Sequence, residues 1–243
     1  MATGTYEFTV PVAGLRLEQT EVANSHPSVE KIMIETQDDE RMSVVFHLID
    51  IFTETEAHAI TWGILDSITN RLAFELDLSI GQPHLKGSSL PKDASGTSYT
   101  VSSDLLVLWD VAAPIITPGD IRRQELARLL EQPSSRPDLY SAYRFAGNQS
   151  DAVARFMFLY NILLQLHNDK QGQVDNFVRR ETPTVPQSPS PHKPDVTESI
   201  YTRLRNEVGH GRAGVTPEQT RTEIEENVAG LQTLVKVAIS RAV

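Results

Sequence analysis

"YTRLRNEVGHGRAG", Tyr201–Gly214, gathers three arginines and a histidine near the end of a chain whose formal charge is −10. The reading of the second half turns on it. Upstream, "VTESIYTRLRNEV" carries Ile200, Leu204 and Val208 at intervals of four, the period of a helix with one buried stripe. Downstream, Thr216-Pro217-Glu218-Gln219 combines a cap residue, a first-turn proline and a glutamine at capping-box spacing. The final helix then runs to the C-terminus, burying Ile224, Val228, Leu231, Leu234, Val235 and Ile239. The cationic stretch therefore lies at the end of one helix and in the turn to the last, with Gly209, Gly211 and Gly214 ending the first of the two.

Working back from there, the proline-rich "TPTVPQSPSPHKPD" (182–195) cannot be helical and is expected to form an extended loop separating two helical hairpins. Before it, "PDLYSAYRFAGN" opens a helix with Pro137 in its first turn, and a longer helix runs from about Asp151 to His167, extending after Gly172 through "QVDNFVRRE". "DIRRQELARLLEQ", from Asp120, is a short amphipathic helix. No strand is expected after residue 119, so residues 119–243 read as an all-α bundle of four or more helices.

The first 118 residues have a different period. "TYEFTV", "KIMIET", "MSVVFHLI" and "YTVSSDLLVLW" are β-branched and aromatic runs, separated by turn-forming stretches such as "NSHPS" and "KGSSLPKDASG". Between them one long helix starts with Thr53 and Glu56 at capping-box spacing and places Ile60, Ile64, Ile68, Leu72 and Leu76 on one stripe. Trp62 and Trp109 fall in apolar patterns and are expected in the core. The fold class is thus α+β: a mixed α/β domain with a small sheet (1–118), then a helical bundle (119–243). Pro114, Pro118 and Gly119 mark the boundary.

Charge follows the same division. Residues 1–118 hold 17 Asp and Glu against 6 Lys and Arg, whereas residues 119–243 hold 15 against 16. Phosphate backbones are bound by lysine and arginine, so only the second part is suited to nucleic acid. The acidic part is expected to sense, regulate or recruit something else. The absence of cysteine excludes disulfides and thiolate chemistry. "FMFLYNILLQL" is too short for a bilayer and is interrupted by Asn161 and Gln165, so no membrane partner is expected. The first residues lack the pattern of a secretory signal, and the expected location is cytoplasmic. His26, His47, His58, His84, His167 and His192 show no metal-ligand spacing, and neither metal nor cofactor is expected. Asp38-Asp39-Glu40 reads as a solvated turn, and the glycine pattern at 209–214 lacks the preceding strand that a dinucleotide site needs.

Arg205-Asn206-x-x-x-His210 resembles the Arg, polar residue, short gap, His signature of the HEPN superfamily of helical bundles, and the wider "YTRLRNEVGHGR" is similar to methylamine-utilisation J-like proteins. The resemblance covers roughly residues 135–243 on helix order, and its specific part is "RNEVGHG". It implies a metal-independent endoribonuclease, active as a homodimer through the bundle, in a toxin–antitoxin or phage-defence setting with an antitoxin or regulatory partner. It implies Arg205, Asn206 and His210 as catalytic residues. Arg203 and Arg212 are close enough in sequence to contact flanking phosphates.

The side chains suit that chemistry. Attack of a ribose 2′-hydroxyl on phosphorus needs a proton acceptor near neutrality, which histidine supplies, and the charge that develops on the phosphoryl oxygens suits a permanently ionised guanidinium. Asn206 can orient the ribose, the phosphate or the imidazole. On a straight helix Arg205 and His210 point about 140° apart, so either Gly209 loosens the helix end or a second subunit completes the pair. The alternative is a non-catalytic bundle that dimerises or binds a nucleotide or partner. In it Arg205 pairs with Glu207 or Glu198, and His210 is a polar helix-end residue.

Overall fold

A computed structural model describes residues 2–36, 38, 40–92, 98–102, 130, 136–191 and 195–242. The chain is mixed α/β and divides into two compact units, Met1–Tyr140 and Ser141–Val243. The expected boundary at 118, Trp109 and, apart from Leu130, the helix from Asp120 lie outside the described residues.

The first unit is built on an antiparallel six-stranded sheet of order β2-β3-β4-β1-β5-β6. Its strands are β1 (Thr3–Pro11), β2 (Thr20–Val22), β3 (Val29–Thr36), β4 (Arg41–Ile49), β5 (His84–Pro91) and β6 (Ser98–Ser102). β1 pairs with β4 from Thr3↔Ile49 to Pro11↔Arg41. Alternation then sends Tyr6, Phe8 and Val10 to the buried side, with Ile32 and Ile34 of β3 and Met42, Val44, Phe46 and Leu48 of β4. The opposite side is mixed, with Met33 and Val45 beside Glu7, Ser43 and His47. There Glu7 accepts from Ser43 Oγ (2.9 Å) and pairs with Lys86 Nζ (2.8 Å).

Helix α1 (Glu54–Leu76) closes the core. Thr53 caps it, its Oγ1 accepting from the Glu56 N–H at 3.3 Å. The buried stripe is turned relative to the expected one. Ala57, Thr61, Leu65, Ile68 and Leu72 are fully buried, while Ile60, Ile64 and Leu76 are half-buried at its margins, as is Trp62. Thr61 and the neighbouring buried Thr69 satisfy their hydroxyls inside the helix, on Ala57 O (2.7 Å) and Leu65 O (3.0 Å), so they can take core positions that a reading by hydrophobicity gives to isoleucine.

A second correction concerns "KGSSLP", expected as a turn. It belongs to β5, which lies beside β1 and pairs Gly87–Pro91 with β6. Small residues suit the site, because the chains approach closely. A Cβ added at Gly4 of β1 would stand 2.8 Å from the Ser89 carbonyl oxygen.

The second unit contains α3 (Ala152–Leu166), α4 (Gln171–Glu181), α5 (Ile200–His210) and α6 (Pro217–Ala242); the division between units falls inside α2 (Pro137–Gly147). Asp151 caps α3, accepting from the Ala154 N–H at 2.9 Å. Left-handed Asn168 and Asp169 (φ 55° and 57°) end α3, so "QVDNFVRRE" forms a separate helix rather than an extension. Phe156, Leu159, Tyr160 and Leu163 of α3 share this unit's interior with Val174 and Phe177 of α4, Leu204 of α5, and Ile224, Leu231, Val235 and Ile239 of α6. Val228 is half-buried, and Val208, expected on the α5 stripe, is exposed. The capping box predicted before α6 forms: Thr216 N donates to Gln219 Oε1 (2.8 Å) and Gln219 N to Thr216 Oγ1 (3.3 Å).

The unit is not all-α. Within the proline-rich segment β7 (Gln187–Pro189) pairs antiparallel with β8 (Thr197–Ser199). The flanking bonds run from Ile200 N to Pro186 O (2.9 Å) and from Ser190 N to Val196 O (2.8 Å), so this short ladder asks no proline for a donor. Prolines that forbid a helix are thus compatible with a hairpin, and the expected open loop is in part a small sheet.

Candidate functional site

Helix α5 starts at Ser199, whose side chain accepts from the Thr202 N–H (3.4 Å), and ends at Gly211, which adopts a left-handed φ of 68°. Gly209 and His210 lie inside the helix, so Gly209 does not loosen its end as the spacing suggested. The five predicted residues nevertheless line one cleft of about 700 Å³. At 100° per residue, the α5 residues lining it, from Arg205 through Asn206 to Glu207, cover about 200° of the helix circumference. The cleft runs from the start of α4, at Gln171, to the β7–β8 hairpin, at Ser190 and Val196. Arg205 therefore stands at one edge of this arc and Glu207 at the other, with Asn206 about 100° and His210 about 140° round from Arg205.

Each cation is held differently. Arg203 is paired twice: Nη1 donates to Glu207 Oε1 (2.9 Å) and Nη2 contacts Glu223. Burial works against its charge, but these two carboxylates outweigh it and raise its pKa above the ordinary value. Arg212 donates to the Pro189 carbonyl (3.2 Å) and stands 3.8 Å from Glu207, tying the turn after α5 to the hairpin. Glu207 is buried and also accepts from Thr220 Oγ1 (3.2 Å).

Arg205 is held by a neutral side chain rather than by a direct ion pair. Its Nη1 donates to Asn206 Oδ1 (3.1 Å), its Nε is buried without a partner, and among the described residues it forms no ion pair. Asn206 Oδ1 also accepts from Gln171 Nε2 (2.9 Å), and its amide lies 3.5 Å from Glu198 Oε1. The expected pairing of Arg205 with Glu207 is thus made by Arg203 instead, and Glu198 is reached through Asn206. His210 lines the same cleft and is exposed.

Beneath this layer lies a buried polar relay. Thr202 Oγ1 donates to Asp175 Oδ1 (2.7 Å), which also accepts from the Ser199 N–H (2.9 Å). Thr202 gives its one hydroxyl hydrogen to Asp175, so Tyr160, 2.8 Å away, donates to Thr202. Burial pushes the Tyr160 phenol pKa far up; the Thr202 contact opposes this, the charges of Asp175 and Glu198 add to the rise, and Arg205 opposes it. The relay fixes the first turn of α5 against α3 and α4.

Three elements of the site were missed in the sequence: Asp175 and Gln171 on α4, and the hairpin that brings Glu198 to Asn206. Asp175 sits among the apolar residues of α4, between Val174 and Phe177, and a buried acid in such a row was the one available signal. The cleft is amphoteric, with three arginines and a histidine facing Asp175, Glu198 and Glu207. Among the described residues no group of three His, Asp or Glu side chains is placed to hold a metal ion, and no helix is long and apolar enough to cross a membrane. No family model, no curated protein and no solved structure matches this chain.

Proposed function

We propose that the cleft of the second unit binds single-stranded RNA and cleaves it by attack of a ribose 2′-hydroxyl on the adjacent phosphorus, without requiring a metal ion. The observation that carries the reading is the state of Arg205: a guanidinium lining a cleft, positioned by Asn206, which Gln171 holds in turn, and not in a direct ion pair with a carboxylate among the described residues. An always-charged donor held in this way suits the charge that develops on a phosphoryl oxygen, and it needs no reorganisation when that charge appears. His210 takes the 2′-hydroxyl proton as the 2′-oxygen bonds to phosphorus and the P–O5′ bond breaks. The departing 5′-oxygen takes a proton from water to leave a 5′-hydroxyl. Arg212, on the hairpin side, meets a flanking phosphate. Arg203 serves the fold rather than the substrate, a change from the role its sequence position suggested.

A homodimer through the helical unit belongs to the same reading. The exposed pair Phe145 and Phe158, edge to face at 4.8 Å, is the apolar surface it would bury. The HEPN-type setting, toxin–antitoxin or phage defence with a regulatory partner on the acidic first unit, follows from the resemblance of the motif alone.

The second reading is a binding protein that holds a nucleotide without cleaving it. The three carboxylates of the cleft favour it, since they lower the net positive charge a polyanion would meet. Incubation of the full chain with a mixed tRNA and mRNA pool in EDTA separates the two. Cleavage that is lost in both His210→Ala and Arg205→Ala is expected. Intact RNA, bound by wild type and released by Arg205→Ala, would establish the binding protein instead.

A further inference from the structure

Glu198 is 7 % exposed, lines the cleft beside Arg205 and Asn206, and leaves Oε2 without a hydrogen-bond partner among the described residues. Its other oxygen has only the 3.5 Å approach of the Asn206 amide. A buried acceptor without a donor is costly, and a ligand that brings the donor removes that cost. One amide side chain separates this carboxylate from the guanidinium of Arg205, so anion recognition and donor recognition stand side by side.

Resting on the RNA reading above, we infer that Glu198 is a specificity-determining residue that reads the base of the bound nucleotide, and that the base is guanine. Both carboxylate oxygens are acceptors, so they match two adjacent donors. Guanine presents such a pair on its Watson–Crick edge, N1–H and the N2 amino group. Adenine and cytosine place a ring-nitrogen acceptor beside their amino donor, and uracil flanks its single N–H with two carbonyls. Each of these sets a lone pair against the carboxylate. Single-stranded RNA exposes this edge, and carboxylates accept from base amino groups in the same way in other nucleic-acid sites. A cleft of about 700 Å³ falls within the roughly 300–1,000 Å³ of small-molecule sites and accommodates a nucleotide. The hairpin then has a function: β8 carries Glu198 to α5, and the Arg212–Pro189 contact holds the hairpin against the same helix.

The test is calorimetric titration of the full chain with the four nucleoside 3′-monophosphates, which needs no turnover. Guanosine 3′-monophosphate is expected to bind about tenfold more tightly than the other three, the discrimination of one two-bond contact. Inosine 3′-monophosphate, which lacks the N2 amino group, is expected to lose most of that preference. Glu198→Gln presents one acceptor beside one donor, complementary to adenine and cytosine, so the preference should move away from guanine while binding of the phosphate persists. A merely structural glutamate would weaken all four ligands alike. Equal binding of the four by wild type overturns the guanine inference and leaves the anion-binding reading standing, whereas no binding of any overturns both. A guanine preference unchanged in Glu198→Gln overturns the role of Glu198. If that variant fails to fold by circular dichroism, the guanosine and inosine comparison on wild type decides.

Discussion

Arg203 and Arg205 stand two residues apart on one helix, yet the first is ion-paired and the second is not, and the proposed reading gives them opposite duties. Replacing Arg203 with alanine strips the buried Glu207 carboxylate, 2 % exposed, of its 2.9 Å ion pair and leaves it Thr220 and the 3.8 Å approach of Arg212. Leaving a buried charge wholly uncompensated costs about 3–5 kcal/mol. The two remaining contacts reduce this to about 2–3 kcal/mol, and the half-exposed Glu223 adds about 0.5 kcal/mol or less. Pairing Arg203→Ala with Glu207→Gln in a double-mutant cycle should return a coupling of at least about 1 kcal/mol. Both tryptophans precede residue 141, so fluorescence would report the first unit, and amide hydrogen exchange over 200–242 is the appropriate assay. Folded Arg203→Ala should keep its affinity for nucleoside 3′-monophosphates, while Arg205→Ala should lose it with little change in exchange. Should Arg203→Ala lower affinity and leave α5 and α6 exchange within about 0.5 kcal/mol of wild type, the division of duties is refuted.

Further outcomes test other parts of the structure. Asp175→Ala orphans the Ser199 N–H and the Thr202 hydroxyl and should destabilise the second unit by about 2–4 kcal/mol, read by the same exchange. Gly4→Ala drives a Cβ against the Ser89 carbonyl and should destabilise the first unit by about 1–3 kcal/mol in urea unfolding followed by tryptophan fluorescence. His167 packs on Phe177, and burial, with Arg180 nearby, lowers its pKa. Protons therefore bind the unfolded chain more readily, so the contribution of His167 to stability is complete above its ordinary value of about 6.5 and is lost as pH falls below it. Melting temperatures at pH 7.5 and 5.5 should differ less in His167→Phe than in wild type.

The sequence revealed most where a single rule acted locally. Thr53, Asp151 and Thr216 start their helices through side chains that accept the first-turn N–H groups, and the period-two runs of β1, β3 and β4 become the sheet. It revealed less where partners distant in the chain decide. The α1 stripe turned because Thr61 and Thr69 satisfy their hydroxyls within the helix, which a hydrophobicity pattern does not weigh. "KGSSLP" reads as a turn by composition, and only pairing with β1 and β6 makes it a strand. The five site residues share a cleft because they are close in sequence. That Arg203 is paired and Arg205 is not depends on Glu223 of α6 and on the register that sets Glu198 in β8, neither of which local spacing encodes.

The most direct test of RNA cleavage by 2′-hydroxyl attack uses one RNA oligonucleotide and its 2′-O-methyl counterpart, incubated with the full chain in EDTA, with the product ends identified by mass spectrometry. The account predicts 2′,3′-cyclic phosphate and 5′-hydroxyl ends from the first, no cut in the second, and no activity in His210→Ala. Cleavage of both, or products ending in 5′-phosphate, would contradict it.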